Sequence, residues 1–257
     1  MSVRRFISRG CAQQGFTLIE IAVVLAILGL LLGGLVPTIS SQMEHRQTGE
    51  TQRQLAEIQQ ALVGFAIAHG RFPCPASLAS NGDESPKGGG NCTNFYNGYV
   101  PAAVLGITSV DSRGLVTDAW GNPIRYAVTA WSSSTVSNVY TTSNGIAHTG
   151  LSALNPNLLV CGTSTGLTAS GCASGSALTS APGVPVVVYS TGKNGGYGGV
   201  GADEAANPNP NSANNDRVFV SHTPTSASSA NGEFDDIVVW ISNHVLLNRM
   251  VSAGKLP

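Results

Sequence analysis

Gly15-Phe16-Thr17-Leu18-Ile19-Glu20 opens an apolar run, FTLIEIAVVLAILGLLLGGLV, that extends from Phe16 to Val36 with one charge, at Glu20. As a helix, those 21 residues would span about 32 Å, the depth of a bilayer's hydrocarbon core. Residues 1–15 are polar and basic, with Arg4, Arg5 and Arg9, which predicts a cytoplasmic N-terminus and an exported remainder. An ordinary secretory signal carries its small-x-small cleavage site after the apolar stretch. Here Pro37-Thr38-Ile39-Ser40 offers none, and the small residue, Gly15, precedes the run. A plain signal anchor also gives no reason to bury a carboxylate, which costs about 2.5–3.5 kcal/mol at the centre of a span. Glu20 needs a partner.

The helical pattern continues beyond the run. Between Gln42 and Ala68, Leu55, Ile58, Leu62 and Phe65 recur at three- and four-residue steps, one face of a helix. Arg53 and Glu57 form an i,i+4 pair on the polar side. Pro37, with Gly29, Gly33 and Gly34 nearby, loosens the joint, so Phe16 to Ala68 reads as one bent helix. Gly70 suits a C-terminal cap, and Pro73 and Pro75 forbid continuation. Past it, Tyr99–Gly106 is a short apolar segment, and Asp118–Pro123 is a turn leading into a strand at Ile124–Val128. Val184–Tyr189 and Ile237–Ile241 are further strands. A short helix follows, capped by Ser242 or Asn243, running through Val251 and stopping at Gly254. The Ser/Thr/Asn/Gly tracts at 132–144, 163–180 and 200–232 read as surface loops.

Only 11% of residues are charged, against a usual share of about 25%. Formal net charge is -1, and setting aside Arg4, Arg5 and Arg9 leaves 10 basic against 14 acidic residues. That balance gives no bulk attraction for phosphate, so no nucleic-acid partner is expected. Cys11 lies before Gly15, leaving Cys74, Cys92, Cys161 and Cys172, an even number in an exported chain. Three disulfide pairings are open. Cys74–Cys92 with Cys161–Cys172 is favoured because each closes a short, Gly/Ser/Asn-rich loop. No C-x-x-C spacing supports zinc.

Gly15-Phe16-Thr17-Leu18-Ile19-Glu20 resembles the G-F-T-L-I-E hallmark of type IV prepilins and type II secretion pseudopilins, and the resemblance runs through the apolar segment to Pro37. It implies that prepilin peptidase cuts between Gly15 and Phe16 and methylates the new amine of Phe16. Glu20 would then pair with that amine on an adjacent subunit and set the axial register, an unpaired buried charge being heavily penalised. The implied fold is α+β and pilin-like. After a leader at 1–15 comes a long N-terminal helix, with a transmembrane half at 16–37 and an amphipathic half at 38–69. The helix packs on an antiparallel β-sheet head with long loops at 70–257. The chain would sit in the inner membrane with its head in the periplasm, then join a filament in the periplasm or at the cell surface. Its partners would be other pilin or pseudopilin subunits and an inner-membrane assembly platform. An adhesin or DNA-uptake subunit on the same anchor is the alternative.

Three pieces of the head resemble the major pseudopilin: Asp118-Ala119-Trp120-Gly121-Asn122-Pro123, Tyr189-Ser190-Thr191-Gly192-Lys193-Asn194, and Glu233-Phe234-Asp235-Asp236-Ile237. In that family the last two build a calcium site. By position, Asn194 and Asp236 would be side-chain ligands, with backbone carbonyls near Ser190 adding more. Asn194 stands where the family has an acid, and so does Phe234; Asp203, Glu204, Asp216 or Asp235 would have to compensate. Gly196-x-Gly198-x-x-Gly201 matches a dinucleotide fingerprint, but Asn207-Pro208-Asn209-Pro210 argues against the helix such a site requires. No nucleophile–base pattern points to an enzyme, and His148 and His222 read as solvated loop residues.

Overall fold

The structure, a computed structural model, describes residues 15–195, 201–207 and 216–256, with the side chains of 32–40 excepted. The leader expected at 1–15 lies outside the described residues except for Gly15, as does the side chain of Pro37. Two compact units divide the chain, one up to Arg46 and the other Gln47–Pro257.

The first element is helix α1, Leu18–His69. In its first unit every large apolar side chain from Phe16 to Leu31 is exposed, from 47% at Leu28 to 92% at Leu18. Such a surface calls for lipid or another protein. Among the described residues no helix is long and apolar enough to cross a membrane; the run read from Phe16 to Val36 continues into 32–36, whose side chains are not described.

In the second unit, Thr51, Leu55, Ile58, Leu62 and Ala66 of α1 are fully buried or nearly so, a stripe at the helical period. Phe65, expected on that stripe, lies beside it and is half-buried. Its ring stacks on His69 at 4.1 Å and carries the Arg71 guanidinium at 5.1 Å, while the smaller Ala66 takes the core position. Gly70 ends the helix with φ +63, donating its N–H to the Ala66 carbonyl. A Cβ there would come within 2.7 Å of the Asn144 backbone, so only glycine fits.

The stripe packs on a four-stranded antiparallel sheet in the order β1 (Gly98–Tyr99), β2 (Arg125–Val128), β4 (Val186–Ser190), β6 (Ile237–Ile241). Tyr126 pairs with Val188, and Val188 with Val239. Side chains alternate across a strand. Tyr126, Val128, Val186, Val188 and Ile241 therefore join the α1 stripe, together with Leu246 and Met250 of α5 (Asn243–Ser252). The Ser242 hydroxyl caps α5 by accepting the Val245 N–H. Between β1 and β2 lies the four-residue α2 (Ala102–Leu105), and α3 (Gly145–Thr149) follows the loop after β2.

Ala127, Val187, Tyr189 and Val238 point the other way, into a second core with Leu158, Val160 and Phe219. That face is covered by a two-stranded sheet of β3 (Leu159–Cys161) and β5 (Val218–Val220), and these strands run parallel. The antiparallel sheet expected of the head is present, and this parallel pair is an addition to it. One expectation is corrected here: the tract at 200–232 is not only loop. Buried Val218, Phe219 and Val220 form a strand, three residues being too short for a periodicity to register. Burial on both faces is why β4 reads Val-Val-Val-Tyr-Ser without alternation.

Disulfides join Cys74 to Cys92 and Cys161 to Cys172, with Cα–Cα separations of 5.3 and 5.6 Å. The first closes over a buried ion pair. Arg71 donates to both carboxylate oxygens of Glu84 at 2.8 Å, and the backbone N–H groups of Cys74 and Gly88 donate to the same carboxylate at 3.0 Å. Burial pushes the Glu84 carboxyl up, but Arg71 and these backbone donors together hold it below its ordinary 4.5. A depressed acid stabilises the fold above its unfolded pKa and loses that contribution as pH falls through the folded value. Thermal melts of the full chain in detergent should therefore show stability falling as pH drops below about 4.5. Glu84→Gln, which strands a buried guanidinium, should lose about 3–5 kcal/mol at neutral pH. An unchanged melting temperature in Glu84→Gln would show that the pair is not structural.

Candidate functional site

Two places bring chemistry-bearing residues together. At the start of α1, Gly15 and Phe16 are exposed and precede the helix. Thr17 and Glu20 cap it reciprocally. The Thr17 hydroxyl oxygen accepts the Glu20 N–H, and the Glu20 carboxylate accepts the Thr17 N–H and O–H, each at 3.3 Å. This is the T-x-x-E capping box, a pattern legible in Thr17-Leu18-Ile19-Glu20 that the membrane reading of Glu20 passed over. The carboxylate also sits at the positive end of the helix dipole.

The second place lies where β4 ends and β6 begins. The turn Asp118–Pro123 pins it from below. Asp118 accepts the N–H groups of Trp120 and Asn122 on one oxygen and the Ser190 hydroxyl, at 2.6 Å, on the other. The Asn122 amide donates to the Gly192 carbonyl at 2.7 Å. Thr51 on α1 accepts the Ala119 N–H at 3.2 Å, so the helix, the turn and the loop after β4 form one hydrogen-bonded knot. Gly192, at φ +62, lies so close to Asp235 that a side chain would collide with its carboxylate.

Above this knot the ligand oxygens of Glu204, Asp235 and Asp236 lie within 4.8 Å of one another. Glu204 comes from a short helix, α4 (Ala202–Ala205). Its carboxylate accepts the Asn194 amide at 3.0 and 3.1 Å and the Asp235 N–H at 2.9 Å. Asp235 accepts the Lys193 N–H at 3.0 Å, and Asp236 accepts the Asn207 amide at 2.6 Å. Burial first, then the charge of Glu204, pushes the Asp235 carboxyl up to about 6. Burial and the Glu204 and Asp235 charges push Asp236 up to about 8, against the Asn207 hydrogen bond.

The cluster gathers Asn194 and Asp236 with Glu204 and Asp235. Asp203 and Asp216 stand outside it, Asp203 turned toward His222 and Asp216 receiving the Val218 N–H. Phe234 is a core residue, 1% exposed, and cannot act as a ligand. Its ring stacks on His222 at 3.9 Å. His222 is thus not a solvated loop residue: it lies against Phe234 and within 3.1 Å of Asp203. His148 is exposed. A helix does follow Gly201, contrary to expectation, but α4 has four residues and carries Asp203 and Glu204 in its first turn, which repel phosphate. Residues 196–200 lie outside those described.

Residues 11–36 match the prokaryotic N-terminal methylation motif. The chain is 29% identical over 115 residues to type II secretion system core protein G of Pseudomonas aeruginosa, covering 44% of this chain and 72% of that protein. It is also 27% identical to the core protein G of Klebsiella pneumoniae over 111 residues, covering 43% and 71%, and 25% identical to that of Aeromonas hydrophila over 112 residues, covering 43% and 70%. The motif and these similarities support a place in the type IV pilin and pseudopilin family. No solved structure matches it.

In this pilin-like head the acidic cluster is a group that could hold a hard divalent cation. Calcium takes six to eight oxygen ligands; the three carboxylates converge, and one of their oxygens, Asp235 Oδ1, is buried, like Asn194 Oδ1, with no hydrogen-bond partner among the described residues. A bound ion would supply the positive charge that such crowding calls for. Without it, the raised carboxyls favour protonation in the fold, so the folded state binds more protons than the unfolded state between about pH 4 and 8. Stability of the full chain in EDTA should then fall as pH rises from 5 to 8.5, and millimolar calcium should remove most of that fall. Superimposable melting curves with and without calcium at pH 8.5 would exclude the ion.

Proposed function

We propose that the chain is a non-enzymatic structural subunit of a type II secretion or type IV pilus-like filament, its head stabilised by calcium. Prepilin peptidase cuts between Gly15 and Phe16 and methylates the Phe16 amine. Residues 1–15 are the leader, 16–37 the membrane and polymerisation helix, 38–69 the amphipathic helix and 70–257 a periplasmic head. Before assembly the helix sits in the inner membrane with its N-terminus in the cytoplasm. An assembly platform then draws it into contact with other subunits, and Glu20 exchanges its Thr17 partner for the amine of a neighbour.

The single observation that carries this reading is the methylation motif at 11–36, where the one acid of the apolar run stands at its fifth residue. The exposed apolar surface from Phe16 to Leu31 supports it, because none of the described residues of the chain's first unit covers that surface. A minor, low-copy position is favoured by the head: the similarity to core protein G spans only 44% of this chain, and a second sheet covers the face that antiparallel sheets often leave open.

Mass spectrometry of the native protein should find an N-terminus at methylated Phe16. Glu20→Ala should still be cleaved, yet should be absent from sheared or purified filaments. An intact leader, a terminus beyond Val36, or normal incorporation of Glu20→Ala would each refute the proposal.

A further inference from the structure

The helix α4 faces two ways. Successive residues on a helix diverge by about 100°, and here the two neighbours Asp203 and Glu204 reach different parts of the head. Glu204 enters the acidic cluster, holding Asn194 and the Asp235 N–H. Asp203 is buried and points at the loop closed by Cys161–Cys172. It accepts the Ser164 N–H on one oxygen and the His222 ring nitrogen on the other, and the Asn231 amide reaches both at 3.0 and 3.2 Å. The same Asn231 amide donates to the Thr163 hydroxyl at 2.9 Å. At the far end Asn207 bridges the cluster to β5, donating to Asp236 and to the Val220 carbonyl and accepting the Val220 N–H.

We propose that α4 is a cation-dependent clasp: Glu204 closes on the ion, and Asp203, fixed by the same turn, thereby locks the Cys161–Cys172 loop against the head. This rests on the calcium reading and goes beyond it, since neither Asp203 nor that loop belongs to the cluster. Four residues of helix are too few to hold shape alone, so the orientation of Asp203 depends on what anchors its neighbours. When the cation is absent and the pH is high enough to ionise Asp235 and Asp236, their charges push Glu204 away, and Asp203 moves with it. The clasp also sets a surface feature. A cleft of about 410 Å³ lies between α4 and the loop, lined by Ser164, Leu167, Thr168, Ala202, Ala205 and Val218, so two of its walls are the parts the clasp joins and β5 supplies a third.

Hydrogen exchange of the full chain in detergent, in EDTA and in calcium at tenfold excess over its dissociation constant, tests the clasp. Calcium should slow exchange about tenfold in peptides covering 233–236 and equally in those covering 163–165. Asp203→Asn should keep the slowing at 233–236 and lose it at 163–165, while Glu204→Gln should lose both. Slowing at 233–236 alone in the unmodified chain overturns the clasp and leaves the calcium site standing. No slowing in either segment overturns the calcium site and the clasp with it. Equal slowing at both segments in Asp203→Asn shows that the loop responds by another route and also overturns the clasp.

Discussion

A carboxylate set into an apolar helix has to be partnered, and Glu20 is the constraint from which the account of this protein grows. In the isolated chain the partner is local. Thr17 gives Glu20 an N–H and an O–H, each at a long 3.3 Å, and the helix N-terminus adds a favourable dipole. Those contacts suffice in water. In lipid, or in a bundle of identical helices, the ionised side chain needs a full opposite charge. Cleavage after Gly15 would place such a charge at Phe16, four residues before Glu20, on every copy. In the proposed filament the amine of a neighbouring copy would supply that charge.

The head meets a similar demand differently. Its sheet is buried on both faces, so α1 and α5 cover one side and the parallel pair β3–β5 covers the other. The turn Asp118–Pro123 couples α1 to the end of β4 at one corner through Thr51, Ser190 and Gly192. At that corner the backbone brings Glu204, Asp235 and Asp236 together. Like charges in a low-dielectric setting are costly unless protonated or bound to a cation. Elsewhere in the head Arg71 and Glu84 show the opposite solution, two buried charges of opposite sign with every carboxylate lone pair engaged.

Much of this was legible in the residues. The stripe Leu55, Ile58 and Leu62, the end of α1 at Gly70 and the Ser242 cap follow from local periodicity and capping chemistry, and the strands at 125–128, 186–190 and 237–241 from short apolar, β-branched runs. What escaped was short or distant. The strands β3 and β5 have three residues each and pair across a separation of 59 positions, which no local pattern encodes. The helix α4 sits in a polar tract, and its four residues carry no apolar periodicity. His222 looks solvated in sequence because its partners, Phe234 and Asp203, approach it only once the chain is folded. At the candidate cation site, Asn194 and Asp236 were readable by resemblance. Choosing Glu204 and Asp235 over Asp203 and Asp216 required knowing which way α4 turns.

The most direct measurement of the central claim is a high-resolution cryo-electron microscopy reconstruction of a filament containing this subunit. The Glu20 carboxylate should lie within hydrogen-bonding distance of the Phe16 amine of an adjacent copy or neighbouring subunit, with the Thr17 contact given up. A filament in which Glu20 still caps its own helix through Thr17, while that amine bonds elsewhere, would contradict it.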